Sequence, residues 1–446
     1  MDYRACWLAI GVLISPMAGH AQTFEQALAM AYSHDPGLQA ERAKLRATDE
    51  SVPQALSNWR PDLEATGSAG RDKENIQGFD YPILDPRSAR VSITQPVFRG
   101  FRTVGNVDSA EATVLAGRAE LVATEQQLLL DASKAYLDVL QGQDVLELNR
   151  KNEDDLQNQL RITSERLKIG ELKKTDVDQA ESRLQVARAA RLQVEGDLIN
   201  KKRTYARIMG EMPGILLPVQ ITLEKPANED EAVTLAQKNN PKVIAASYNT
   251  QAAKADITAT EGSLLPEVSL EGAAARALEQ NVTIPQRDDS FTIMAKMTIP
   301  LYRSGSDYAK SRAAIQMSEQ RNMELDDEQN KAREAAANAW HALMTAREVS
   351  QVNEAAVSAT DKALYGVKQE ALAGERTTLD VLNADQELLN ARINLVKAQH
   401  DEKVAIMELK ADIGELTAGA MHLPVNPYDP ADHYNRVRNK WIGLGG

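Results

Sequence analysis

The chain has 446 residues, of which 43% are hydrophobic but only 4% aromatic, and a formal net charge of −13. That acidic balance excludes a nucleic-acid partner, because phosphate binding needs a basic surface. The few aromatics favour long helices packed side by side over a wide globular core.

Residues 1–21 read as a secretory signal: Arg4 in a short head, an apolar run from Cys6 to Ile14, then small residues before Gly19-His20-Ala21. Cys6, the single cysteine, leaves with that segment, so the mature chain is expected to have no disulfide, no thiol chemistry and no lipidation site. No later stretch approaches the ~20 apolar residues of a membrane helix, so any entry into a membrane has to be made by strands.

All 17 prolines lie outside two windows, Val97 to Met212 and Leu301 to Leu423, each of which is free to be helical throughout. The chain repeats itself at an offset of about 205 residues: Pro36 answers to Pro241, Pro61 to Pro266, Pro96-Val97-Phe98-Arg99 to Pro300-Leu301-Tyr302-Arg303, and Ala135-Tyr136 to Ala339-Trp340. Each half predicts a helix near Phe24–Ser33 (Asp230–Asn239), a second from the proline to about Ser57 (Ser263), and two strands. The strands are Asp62–Arg71 with Ala89–Phe98, and Glu267–Arg276 with Ser290–Ile299. They alternate apolar with polar residues, as in Phe291, Ile293, Ala295 and Met297 against Thr292, Met294 and Lys296. At ~10 residues each they have the length of tilted membrane strands. Trp59, Phe79, Tyr81, Phe98, Phe101, Phe291, Tyr302 and Tyr308 stand near their ends. Four strands cannot close a barrel, and an open edge is not tolerated in lipid, so the chain has to oligomerise.

Each helical window is broken once. Gly170-Glu171 is followed by Asp176-Val177, and Gly374-Glu375 by Asp380-Val381. This is the pattern of a tight turn between antiparallel helices, which makes Gly170 and Gly374 the tips of two hairpins with arms of roughly 100 Å. Beyond the second tip Val381, Leu388 and Leu395 form one seven-residue column, and Leu382, Leu389 and Val396 form a neighbouring one. Two columns give a helix two seams, as in a ring of helices around a lumen. A wide stripe in an ordinary bundle has the same periodicity.

The tandem halves, Asp35-Pro36 and Asn240-Pro241, Arg60-Pro61 and Leu265-Pro266, Gln95-Pro96-Val97-Phe98-Arg99-Gly100, Ala135-Tyr136-Leu137-Asp138-Val139-Leu140 and Gly374-Glu375-Arg376-Thr377-Thr378-Leu379-Asp380-Val381-Leu382 together resemble the TolC family of outer-membrane efflux proteins. The resemblance covers essentially the whole mature chain. It implies a mainly α fold with a small β part, in which three copies contribute four strands each to one 12-stranded outer-membrane barrel and long tandem helical hairpins to a periplasmic α-barrel. It also implies a homotrimer in outer-membrane lipid, and docking of an inner-membrane ABC or proton-driven transporter with a periplasmic adaptor at the helical tips, which supplies the energy and opens the duct. The implied organisation is a signal at 1–21, a first repeat at 22–212, a linker at 213–229, a second repeat at 230–415 and an equatorial tail at 416–446. The tail, with Leu423-Pro424-Val425-Asn426-Pro427-Tyr428-Asp429-Pro430, His433 and Trp441, is similar to that of members serving type I protein secretion; others serve drug efflux.

By the same resemblance Asp380 and Asp176 fall near the tunnel entrance, and Arg376 is expected to tie neighbouring hairpins together through the position of Asp176. A ring of Asp380 carboxylates would attract cations and repel anions. The plainer reading is that each Asp caps its own helix, aided by Thr175 or Thr377. Asn383 stands where relatives can carry a second acidic ring, and Ala371 where some carry a tyrosine. No cofactor is expected, because His34, His341, His400, His422 and His433 show no metal-ligand spacing, and no nucleophile or phosphate-loop motif occurs. The competing reading is a periplasmic coiled-coil adaptor that never enters the membrane.

Overall fold

A computed structural model describes residues 21–73, 75–76, 79–80, 83–223, 225–278 and 287–445. Residues 1–20 of the expected signal at 1–21, Tyr81 and the side chain of Phe79 lie outside the described residues. In chain order the elements are β1 (Ala21–Gln22), α1 (Phe24–His34), α2 (Pro36–Asp49), α3 (Ser51–Ser57), β2 (Asp62–Ala69), β3 (Asn75–Ile76), β4 (Phe79–Asp80), β5 (Arg87–Arg99), α4 (Arg102–Lys168) and α5 (Lys174–Met209). The second half follows with β6 (Ile215–Leu216), α6 (Glu229–Asn239), α7 (Pro241–Glu261), β7 (Glu267–Leu278), β8 (Arg287–Thr298), α8 (Ser306–Leu372), α9 (Thr378–Asp412) and α10 (Asp432–Val437).

The repeat is visible in its joints. Asp35 and Asn240 each end one helix and cap the next: Asp35 Oδ1 accepts from the Leu38 amide at 2.7 Å, and Asn240 Oδ1 from the Lys242 amide at 2.9 Å. Pro36 and Pro241 follow at the first helical position, where the missing N–H costs nothing. The single helix expected from Pro36 to Ser57 is instead broken between α2 and α3. Pro53 explains this, because it has no N–H to offer the carbonyl of Asp49, the last residue of α2. The second half has Thr258 at the matching place and α7 runs through.

The four long strands form one antiparallel sheet in the order β2-β5-β7-β8. Below it the helices attached to those strands keep the same sequence of neighbours: α3 packs on α4, α4 on α7, and α7 on α8. Further down, α5 packs on α4, α4 on α9, and α9 on α8. Each level therefore presents four rods in a row, and α4 and α8, 67 residues each, are rods of about 100 Å.

Rows across the sheet sort by chemistry. Leu63, Ile93, Gly272 and Ile293 lie side by side, as do Ala65, Val91, Ala274 and Phe291. On the other face Glu64, Ser92, Ala273 and Thr292 form a row. The apolar face is bare, with Phe291 77% and Ile293 72% exposed, and among the described residues nothing pairs with the outer edges of β2 and β8. No described helix is long and apolar enough to cross a membrane.

Sheet and helices meet at a tight joint. Gly100 and Phe101 both take positive φ (60° and 62°) to turn β5 into α4, and Ser304 and Gly305 (55° and 78°) turn the chain into α8 at the matching place. At the root of the sheet Glu267 accepts from Arg99 at 3.1 Å and Arg102 at 2.7 Å, which ties β7 to the β5–α4 corner.

The largest core lies midway along the helices, where α1, α4 and α5 converge with the tail residues Leu416 and Leu423. Its centre is Tyr136, fully buried, packed edge-on to Phe24 at 5.3 Å between ring centroids. The Tyr136 hydroxyl is shared between the carbonyls of Gln22 (3.0 Å) and Leu217 (2.8 Å), the two ends of the short parallel pair β1–β6. Burial pushes its pKa up to about 12.

Candidate gate at the helical tips

Both hairpin tips are built the same way. After α4 the Gly170 amide bonds Leu167 O at 3.0 Å and the Glu171 amide bonds Arg166 O at 2.9 Å; after α8 the Gly374 amide bonds Ala371 O at 3.1 Å and the Glu375 amide bonds Glu370 O at 3.0 Å. The glycines stand at φ +80° and +84° with nothing near an added Cβ, so backbone conformation rather than space selects them.

Each tip is then closed by an Arg–Glu pair of opposite polarity. In the first, Arg166 on the helix donates to Glu171 past the turn at 3.1 Å. In the second, Glu370 on the helix receives Arg376 from past the turn at 2.8 Å. Both pairs are exposed, so solvent and salt screen them and each adds little to stability. Their role is to hold a short loop rather than to stabilise the chain.

The two aspartates cap their own helices. The Thr377 amide donates to Asp380 Oδ2 at 2.9 Å, the Thr377 hydroxyl donates to the same oxygen at 2.8 Å, and the Asp380 amide bonds back to Thr377 Oγ1 at 3.2 Å. At the first tip the Lys173 amide donates to Asp176 Oδ2 at 3.0 Å, so the cap is Lys173 and not the expected Thr175. The bonds from the Thr377 backbone and hydroxyl, with the Arg376 charge nearby, hold the Asp380 carboxyl below the usual carboxylate range. Within the chain, then, Arg376 is joined to Glu370 and Asp176 to its own cap, and the two are not joined to each other.

Asn383 has a partner that sequence reasoning missed. Arg183 on α5 donates to Asn383 Oδ1 on α9 at 2.7 Å, bridging the two hairpins just above their tips. Leu382 beside it is buried against Leu156, Leu184 and Ala187, a small apolar cluster drawn from α4, α5 and α9. Lys368–Asp385 at 3.0 Å and Arg392–Asp361 at 3.2 Å cross-link α8 to α9 within the second hairpin. Only the Leu382 column carried a sequence signal for this; no local pattern marks Arg183.

Against this geometry the family model for the outer membrane efflux protein matches the chain twice, over residues 27–211 and 232–415. The chain belongs to the outer membrane efflux protein family. The outer membrane efflux protein BepC of Brucella suis biovar 1 is 34% identical over 440 residues, covering 99% of this chain and 96% of that one. The outer membrane protein TolC of Vibrio cholerae serotype O1 is 24% identical, covering 92% and 94%. A crystal structure of CusC shares the fold with a TM-score of 0.79 at 16% identity, over 88% of this chain and 92% of that one. Family membership places the chain in the outer membrane as an efflux and secretion channel, and sets aside the periplasmic adaptor that stays out of the membrane.

Proposed function

We propose that three copies of the chain close into one continuous conduit, a 12-stranded barrel in the outer membrane above a tunnel of helices in the periplasm. The observation that carries this is the sheet: one apolar face bare, both edges unpaired among the described residues, and each strand set above its own helix. An edge of that kind in lipid has to be paired, and only another copy supplies the matching strand. The outer helices agree with it. Val186, Leu192 and Ile199 on α5 and Val349, Val352 and Tyr365 on α8 are exposed apolar side chains at the two flanks of the helix row. Pairing α5 of one copy with α8 of the next covers both flanks and closes the ring.

The duct has no chemistry of its own. An inner-membrane transporter, ABC or proton-driven, with its periplasmic adaptor, engages the tips and delivers cargo; the tail favours type I protein secretion. At the closed end the Asp380 carboxylates form a ring that binds cations, and Arg376 reaches the position of Asp176 on a neighbouring copy when it exchanges Glu370 for that partner.

The test is a planar-bilayer recording of the purified protein. Asp176→Ala combined with Arg376→Ala is expected to raise single-channel conductance, and an unchanged conductance overturns the gate assignment. Asp380→Ala is expected to abolish block by divalent cations. Within one chain the Thr377 cap and the Arg376 charge hold the Asp380 carboxyl low, so the block should be present at neutral pH and fade as acid protonates the ring.

A further inference from the structure

After α10 the chain turns towards the sheet. Arg438 bonds Glu111 on α4 at 2.7 Å, and two residues later Arg60, immediately before β2, donates to Lys440 O at 2.7 Å. The Arg60 guanidinium then lies over the Trp441 ring, 5.0 Å from its centroid. Trp441 is thereby fixed at the root of the sheet, level with Trp59, whose carbonyl receives Gln95 of β5 at 2.9 Å. Beyond it Ile442 is 90% exposed and Leu444 fully so. The chain thus carries a bare apolar segment up to the margin of the bare apolar sheet.

We propose that residues 440–444 are an interfacial membrane anchor, seated in the periplasm-facing phospholipid leaflet around the barrel. This rests on reading the sheet as membrane-embedded. Three observations select lipid as the occupant. Trp59, next to the Arg60 that stacks on Trp441, and the Phe98–Phe101 pair are exposed at the root of the sheet, and aromatic residues at that level form the belt where amphipathic rings sit among headgroups. Among the described residues nothing covers Ile442 and Leu444. Among the described residues neither Arg60 nor Lys440 has a carboxylate within ion-pair distance, which leaves two cations beside the apolar residues for lipid phosphates. Arg60 stacked on an indole is suited to both surroundings, with its charge towards the headgroups and its plane on the ring. The consequence is a second grip on the membrane, independent of the strands, that sets the depth of the barrel and links it to the helices through Arg438 and Glu111.

The chain has four tryptophans, so replacing Trp7, Trp59 and Trp340 by Phe leaves Trp441 as the only emitter. The full-length protein is placed in vesicles of phosphatidylcholine and phosphatidylglycerol, with and without bromine on the acyl chains near the headgroups. The expected result is blue-shifted Trp441 emission that brominated lipid quenches and aqueous acrylamide does not. Ile442→Ser with Leu444→Ser should shift the emission to the red and remove the lipid quenching. A parallel protein with Phe291→Trp as its only tryptophan reports on the sheet. If Phe291→Trp is quenched by brominated lipid and Trp441 is not, the anchor is overturned while the barrel stands. Acrylamide quenching of Trp441 would then place the segment in water, and protection from both quenchers would place it against a second copy. If neither position is quenched by lipid, the barrel reading fails and the anchor with it.

Discussion

Arg183 and Asn383 are 200 residues apart and share a 2.7 Å hydrogen bond that links the first hairpin to the second near their tips. The bond is exposed, so its net contribution is about 0.5–1.5 kcal/mol. Leu382 one residue away is 2% exposed in a cluster spanning three helices, and truncating such a leucine costs about 2–5 kcal/mol. If the hairpins are held together near the mouth, Leu382→Ala should open the channel more than Arg183→Ala does. Single-channel conductance and entry of a bulky antibiotic into cells measure both. A larger effect of Arg183→Ala would mean that the polar bond, not the apolar cluster, sets the position of the hairpins.

Asn383→Asp gives the opposite sign. It converts a neutral acceptor for Arg183 into a charged one, and charge-assisted bonds are about twice as strong. It also adds a carboxylate near Asp380. Leak should fall and block by divalent cations should strengthen; a variant with unchanged cation affinity would place Asn383 away from the lumen.

Gly100 and Gly262 separate two kinds of glycine requirement. A Cβ on Gly100 would stand 2.3 Å from the Gly262 carbonyl oxygen, and one on Gly262 only 2.1 Å from the Gly100 oxygen. Backbone has to shift in either case, at a cost of about 1–3 kcal/mol or more. Gly374→Ala meets no atom and suffers only the left-handed conformation, about 1–2 kcal/mol. Denaturant midpoints should therefore fall further for Gly262→Ala than for Gly374→Ala, although Gly262 has an ordinary φ of −58°.

His400 bridges α9 and α4, with Nε2 at 2.9 Å from Asp138 and Nδ1 at 2.9 Å from Asp401. Burial pushes the imidazole pKa down, but the hydrogen bonds and charges of the two carboxylates outweigh it and hold the ring above its usual 6.5. For Asp138 burial pushes up, yet the bond and charge of His400, with Lys201 and Lys134, bring it below 3.8. A raised His stabilises fully below its unfolded value and loses that contribution as pH rises through the folded one; a lowered Asp stabilises above its unfolded value and loses it as pH falls. The link should be strongest between pH 3.8 and 6.5 and weaken outside that window. His400→Gln should lower the unfolding midpoint within that window and flatten its pH dependence above pH 6.5 and below pH 3.8, where the link is lost.

Much of this architecture was legible because it is periodic. Proline-free windows fixed the long helices, the Gly-Glu pairs fixed the tips, and period-two alternation fixed four strands to within a few residues. What escaped depends on contacts between distant segments. The break at Glu50 needed the missing Pro53 N–H to be matched to Asp49, and the second half, with Thr258, argued for a continuous helix. Of the two heptad columns on α9, Val381, Leu382 and Leu388 are buried while Leu389, Leu395 and Val396 stay half-buried, so burial follows position along the helix rather than separating one column from the other. Arg183 was invisible because no local pattern encodes the register between two hairpins. Arg376 was assigned an intermolecular partner, whereas within one chain Glu370 holds it first.

Tyr136 tests whether the middle of the molecule depends on one hydroxyl. The ring is fully buried beside Phe24 and Tyr205, so Tyr136→Phe keeps the packing and removes only the donor to the Gln22 and Leu217 carbonyls. The Gln22 carbonyl keeps the Leu217 N–H as a donor, so the loss falls mainly on the Leu217 carbonyl, and Leu217 is 39% exposed. The expected cost is about 0.5–1.5 kcal/mol, the net worth of one hydrogen bond. Amide exchange at Leu217, whose N–H bonds Gln22 O at 3.1 Å, should accelerate in the variant, while exchange along α9 near the tips should not change. The matching residue of the second half, Trp340, packs against a smaller cluster and is only partly buried, so Trp340→Phe should cost less. If Tyr136→Phe left the midpoint unchanged, the hydroxyl would be irrelevant and the packing of the ring alone would hold the waist of the chain together.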